Sequence, residues 1–137
     1  MKGVYTLLIE LDVATEIKTI GRKFTLKTGF YAYVGSALNN LEARIARHLS
    51  HDKKRHWHID YFLEHAQVKT VISAQTEMKV ECQIARRFTG IENVPGFGCG
   101  DCNCPSHLFY SKNKNSLRDK TVAAYTHLGL DQSEMLI

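Results

Sequence analysis

Apolar positions along the chain recur in two different periods, and the change of period marks out the elements. Residues 4–11 (VYTLLIEL) are a nearly unbroken apolar, β-prone run, the pattern of a buried strand. Residues 16–20 and 23–27 alternate in short runs on either side of Gly21-Arg22, which predicts a hairpin. Residues 30–34 (FYAYV), bounded by Gly29 and Gly35, predict another strand. Its period of two sets Tyr31 and Tyr33 on one face and Phe30, Ala32 and Val34 on the other.

The spacing then lengthens to that of a helix. Asn39 followed by Glu42 has the form of a capping box, and the predicted helix runs to about Ser50. Leu38, Leu41, Ile45 and Leu49 make its apolar stripe, while Arg44, Arg47, His48 and His51 share a separate polar face. Residues 59–66 keep helical spacing, residues 68–74 read as a strand, and Thr76 can cap a third helix reaching about Phe88. Gly90, Pro95, Gly96, Gly98 and Gly100 then break regular structure. A last strand over 107–111 and a last helix over 117–128 follow. Strands early and helices interspersed later predict an α+β fold, a small, largely antiparallel mixed sheet flanked by helices. No repeat or linker divides the chain, so residues 1–137 read as one domain with a cysteine-containing loop near 96–107.

Composition narrows the classes. With 44% hydrophobic and 23% charged residues the chain is globular rather than disordered. No apolar run approaches the roughly 20 residues of a membrane span, so no membrane partner is expected. The N-terminus enters its strand pattern without a signal-cleavage site, which makes the cytoplasm the expected location. The net charge is +4, and its distribution says more than its size. Arg44, Arg47, Lys53, Lys54 and Arg55 cluster with His48 and His51, opposed by Asp52. Such a field favours a phosphate-bearing partner; a solvated helix face is the plainer explanation.

Three groups of residues carry candidate chemistry. Cys99, Cys102 and Cys104 are too close in sequence for ordinary disulfide staples, and with His107 they put four soft or borderline ligands in nine residues. That set can surround zinc, or it can be a reduced loop packed near a cleft. His58 and Asp60 lie where a helix begins, and Asp60 suits a first turn by helix polarity. The pair reads as structural orientation, with substrate contact or metal binding as alternatives. Glu81 falls inside the apolar sector of Val80, Ile84, Ala85 and Phe88. A carboxylate there needs a cation or strong hydrogen bonds, which a metal or a buried arginine supplies. Glu77, one turn earlier, is the alternative ligand.

Gly3-Val4-Tyr5 on the first strand, Tyr33-Val34-Gly35 ending a later one and Arg44 on the next helix form an ordered set. This set resembles the GIY-YIG nuclease domain. The chain is more narrowly similar to the Uri-superfamily endonucleases, through residues 29–37, residues 57–61 (WHIDY), Glu81-Cys82, and residues 96–99 through 107–108. That likeness covers nearly the whole chain. It implies a divalent-metal-dependent endonuclease hydrolysing phosphodiester bonds in DNA rather than RNA, with structure-specific cutting as one form of that activity. In that scheme Tyr5 or Tyr33 assists the nucleophile, Arg44 holds the phosphate and Glu81 binds magnesium or manganese. Arg47, His48, Lys53, Lys54 and Arg55 would contact nucleic acid, and Gly35 would leave room for its backbone. The family joins its two tripeptides by a short hairpin, whereas Tyr5 and Tyr33 here are 28 positions apart. The competing readings are a non-catalytic nucleic-acid-binding module and a zinc-stabilised interaction domain. Tyrosine, arginine and glutamate together favour the nuclease, because binding alone has no need of Glu81.

Overall fold

The computed structural model describes residues 1–100 and 102–137. Its fold is α+β, as the pattern predicts. Among the described residues eight strands and four helices follow in the order β1 (Gly3–Leu11), β2 (Thr15–Thr19), β3 (Arg22–Leu26), β4 (Gly29–Ala37), α1 (Leu41–Leu49) and α2 (His58–Phe62). Then come β5 (Gln67–Gln75), α3 (Glu81–Ala85), β6 (Glu92–Asn93), β7 (Leu108–Ser111), α4 (Lys114–His127) and β8 (Ser133–Leu136). Six strands form one sheet in the order β6-β7-β4-β1-β5-β8, and β2 and β3 pair as a separate hairpin. Each pairing among the described residues is antiparallel.

The apolar run of β1 is explained by its central place. Leu7, Leu8 and Ile9 are fully buried between β4 and β5, each worth roughly 1.5–3 kcal/mol of apolar burial. Tyr5, Leu7 and Ile9 join Tyr31 and Tyr33 of β4 in a core completed by Leu41, Ile45, Ile59, Phe62 and Phe97. Val4 and Leu8 join Ala32 and Val34 in a second core, with Ile84, Phe88, Leu117 and Tyr125. The two faces of β4 therefore divide as period two requires. On the second face, Tyr125 of α4 donates to the Ile72 carbonyl at 3.2 Å and lies 3.1 Å from the Thr6 hydroxyl.

Several predicted boundaries move. Helix α1 is capped by Asn40, not Asn39: its side chain accepts from the Ala43 N–H at 3.0 Å. Leu38 consequently lies outside the helix and is exposed. Helix α2 ends at Phe62 and α3 spans five residues, both shorter than their apolar spacing predicts. Thr76 does not cap α3; its hydroxyl accepts from the Met78 N–H in the turn leaving β5. Strands β6 and β8 carried no readable pattern, since β6 has two residues and β8 is an exposed edge strand. Among the described residues no helix is long and apolar enough to cross a membrane.

Candidate active site and thiol cluster

The hairpin β2–β3 lies outside the main sheet, so it separates the two tripeptides in sequence but not in space. Strands β1 and β4 are hydrogen-bonded neighbours, with Tyr5 opposite Gly35 and Leu7 opposite Tyr33. The rings of Tyr5 and Tyr33 lie 6.5 Å apart. Glycine at position 35 has a local cause, because a Cβ there would sit 2.5 Å from the Tyr5 hydroxyl oxygen. Its missing side chain thus makes room for Tyr5, and β4 runs past it to Ala37.

Arg44 and Glu81 approach the tyrosines from opposite faces of the sheet. Arg44, on α1, donates to the Ser36 carbonyl at 3.2 Å and lies with its guanidinium 4.4 Å from the centre of the Trp57 ring. Glu81 opens α3 and is buried. One of its oxygens is 3.8 Å from the Lys79 ammonium; the other, Oε2, is buried with no hydrogen-bond partner among the described residues. Tyr5, Tyr33, Gly35, Arg44 and Glu81 all line one open cleft of about 430 Å³. Glu77, the alternative carboxylate, is exposed and does not line it.

His48 departs from its predicted place on a polar face. It is buried, and its Nε2 lies 2.7 Å from the Tyr5 hydroxyl, while Nδ1 is buried without a partner among the described residues. Burial is the main cause that pushes its pKa down to about 3, with Lys53, Arg47 and Arg44 adding to the shift against the pull of Asp60. Burial likewise pushes Tyr5 up to about 12, against the nearby Arg44. Tyr33 is raised well above the ordinary phenol value, chiefly by burial and then by Tyr5. Near neutral pH the cleft therefore presents two phenols, and the buried His48 imidazole behind Tyr5 is neutral.

The depressed His48 value makes stability pH-dependent. Below about pH 6.5 the unfolded chain takes up a proton that the folded chain refuses until about pH 3. Stability from this group is thus complete above pH 6.5 and is lost as pH falls through that window, by up to about 1.4 kcal/mol per pH unit. Urea midpoints at stepped pH should show a shallower acid loss in His48→Gln than in the wild type. Equal slopes would mean that His48 titrates normally.

The basic cluster is more engaged than its sequence suggests. Arg47 forms two bonds to the Asp60 carboxylate, at 2.9 and 3.0 Å, and its guanidinium also stacks on Trp57. Lys53 donates to the carbonyls of Arg47, His48 and Ser50 at the end of α1. Arg55 pairs with Glu64 at 2.6 Å, and Lys54 is exposed. Asp60 also accepts from the N–H groups of His56 and Trp57, so it caps α2. Burial works against its ionisation, yet Arg47 and those two N–H groups hold its pKa below the usual carboxylate value. His58 does not bond Asp60; its Nδ1 accepts from the Gly98 N–H at 3.0 Å and so orients the loop.

The thiol cluster has a different membership from the one that sequence proximity proposes. Cys82, Cys102, Cys104 and His107 bring their ligand atoms within 4.8 Å of one another. Cys99 stands outside that set, with its thiol donating to the Phe97 carbonyl at 3.3 Å. Cys82 takes its place because α3 packs beside the loop. Burial pushes the thiols of Cys82 and Cys99 up to about 12. Burial opposes ionisation of Cys102 as well, but the Cys104 N–H and the neighbouring thiols outweigh it and lower its pKa. The four grouped residues form a site that can hold a metal ion.

A family model described as "Domain of unknown function DUF123" matches residues 4–130. The chain belongs to that family. No curated protein and no solved structure matches the chain. The matched span of this DUF123 chain takes in the cleft and the thiol cluster alike. Sequence reasoning missed three participants in the DUF123 site. Trp57 carries the guanidiniums of Arg44 and Arg47 on its ring, Cys82 joins the thiols, and Lys79 lines the cleft beside Glu81. A lone tryptophan before a helix was a readable signal for the first; the other two depend on where α3 docks.

Proposed function

We propose that this protein is a divalent-metal-dependent endonuclease of the GIY-YIG type, hydrolysing phosphodiester bonds in DNA. One observation carries the reading: the unpartnered, buried Glu81 carboxylate oxygen shares a cleft with Tyr5, Tyr33 and Arg44. A buried carboxylate oxygen without a donor is costly, and a bound cation removes that cost. Magnesium or manganese at the oxygen ligand Glu81 belongs to this reading; the thiol–imidazole cluster suits zinc independently of it. The ion at Glu81, when bound, supplies charge stabilisation at the phosphate and its leaving oxygen.

The chain's own groups divide the remaining work. Arg44, braced by the Ser36 carbonyl and the Trp57 ring, keeps its guanidinium ready for a phosphate oxygen. The Tyr5 hydroxyl orients the attacking water, with the buried His48 imidazole behind it fixing the direction of that hydroxyl. A phenol near 12 and an imidazole near 3 do not exchange a proton at rest, so Tyr5 acts as a neutral hydroxyl. Tyr33 walls the cleft on the same side as Tyr5.

Pure protein with magnesium or manganese should cut at least one of supercoiled, single-stranded and branched DNA. Retained DNA binding with no cutting of any of them would replace this reading with a non-catalytic binding module.

A further inference from the structure

We infer that Cys82, Cys102, Cys104 and His107 hold one structural zinc ion, which pins α3 to the loop before β7. The ligand set and its spacing suit a closed tetrahedral site. Zinc–sulfur bonds of about 2.3 Å and zinc–nitrogen bonds of about 2.0–2.1 Å imply sulfur–nitrogen edges of roughly 3.6 Å. The Nε2 of His107 lies 3.7 Å from the Cys82 sulfur and 3.4 Å from the Cys102 sulfur. Three thiols and one imidazole, all within 4.8 Å of one another, are the closed four-ligand set of a structural rather than a catalytic zinc.

The imidazole is set for the task by its other nitrogen. Nδ1 of His107 lies 3.1 Å from the Val34 carbonyl, which can only accept, so Nδ1 carries the proton. Nε2 is left with its lone pair facing the two sulfurs, the orientation that a backbone carbonyl gives to metal-binding histidines. His107 is also held by its backbone: its N–H donates to Phe97 and its carbonyl accepts from Val34. The site thus joins α3, the loop and β4.

Its position bears on the cleft. Cys82 follows Glu81 directly in α3, and Val34 stands between Tyr33 and Gly35. Zinc at the thiols therefore holds the backbone that carries Glu81 against the strand that carries Tyr33. This consequence for Glu81 rests on the nuclease reading; the zinc site itself does not. Soft thiolates and a hard carboxylate on adjacent residues select different ions, so the two sites need not compete for one metal.

The test needs no DNA. Protein purified without chelator should carry one zinc per chain, and cobalt in its place should give the intense visible bands of a tetrahedral thiolate site. In the zinc-loaded protein an alkylating reagent should label Cys99 first, leaving Cys82, Cys102 and Cys104 protected until a chelator is added. Peptide mass spectrometry reads each position in the wild-type chain, so the result does not depend on a variant that fails to fold. Cys99→Ser should keep its full zinc, and Cys82→Ser should lose it together with thermal stability. Glu81→Gln should keep its zinc whether or not the wild type cuts DNA, which separates failure of this inference from failure of the nuclease reading. Protection of Cys99 with early labelling of Cys82 would overturn the proposed ligand set. Protein that binds neither zinc nor cobalt would overturn the site.

Discussion

Glu81→Gln should bind DNA about as well as the wild type and cut it at least about 10²–10³-fold more slowly. Glutamine keeps the shape of the side chain and removes the charge that would hold the cation. Little in the fold holds that charge: among the described residues Oε2 has no hydrogen-bond partner and Oε1 faces Lys79 only at 3.8 Å. Folding should survive, and circular dichroism checks it. Arg44→Ala should show a loss of the same order in single-turnover cleavage with a much smaller loss in binding, because its contact matters most as charge builds on the phosphate. Cleavage at the wild-type rate by Glu81→Gln would remove this carboxylate from the site. Equal losses in rate and in affinity for Arg44→Ala would make it a binding group alone.

The largest expected loss of stability lies in the support of the site. Asp60→Ala should cost up to about 3 kcal/mol, the low end of the penalty for breaking a buried ion pair, because the Arg47 left behind is only partly buried. Asp60 is almost wholly buried, and its carboxylate accepts four bonds, two from Arg47 and two from the N–H groups that open α2. Removing it strands the Arg47 guanidinium, uncaps α2 and loosens Trp57, on which Arg44 rests. Asp60→Asn keeps an oxygen for the backbone donors and should lose less. Urea unfolding reads both variants. A change below about 1 kcal/mol for Asp60→Ala would show that the pair is a solvated surface contact in energy, whatever its burial.

Arg47 and Asp60 also show where sequence reasoning stops. They are 13 positions apart, one on a helix stripe counted as a basic face and the other at a helix start. Period and charge placed each correctly within its own element, yet neither discloses that one neutralises the other. His48 is the sharper case. The helical count put it on a polar face, and that face turns inward over Tyr5, where burial rather than charge governs the imidazole. The cysteines repeat the point: spacing grouped Cys99 with Cys102 and Cys104, while docking of α3 exchanged it for Cys82.

The chain by itself determined what depends on near neighbours. The buried run of β1, the division of β4 into two faces, the outlying hairpin and the helical stripe of α1 follow from periods of two and 3.6, which local geometry enforces. Helical period also singled out Glu81, and the resemblance to the GIY-YIG domain singled out Tyr5, Tyr33 and Arg44. The tertiary structure alone decided that these four meet, because pairing β1 with β4 sets Tyr5 opposite Gly35 and the docking of α1 and α3 brings a guanidinium and a carboxylate to the same opening. It likewise decided which cations are already paired and which thiols converge. Contacts between distant segments depend on sheet order and helix docking, which no local periodicity encodes.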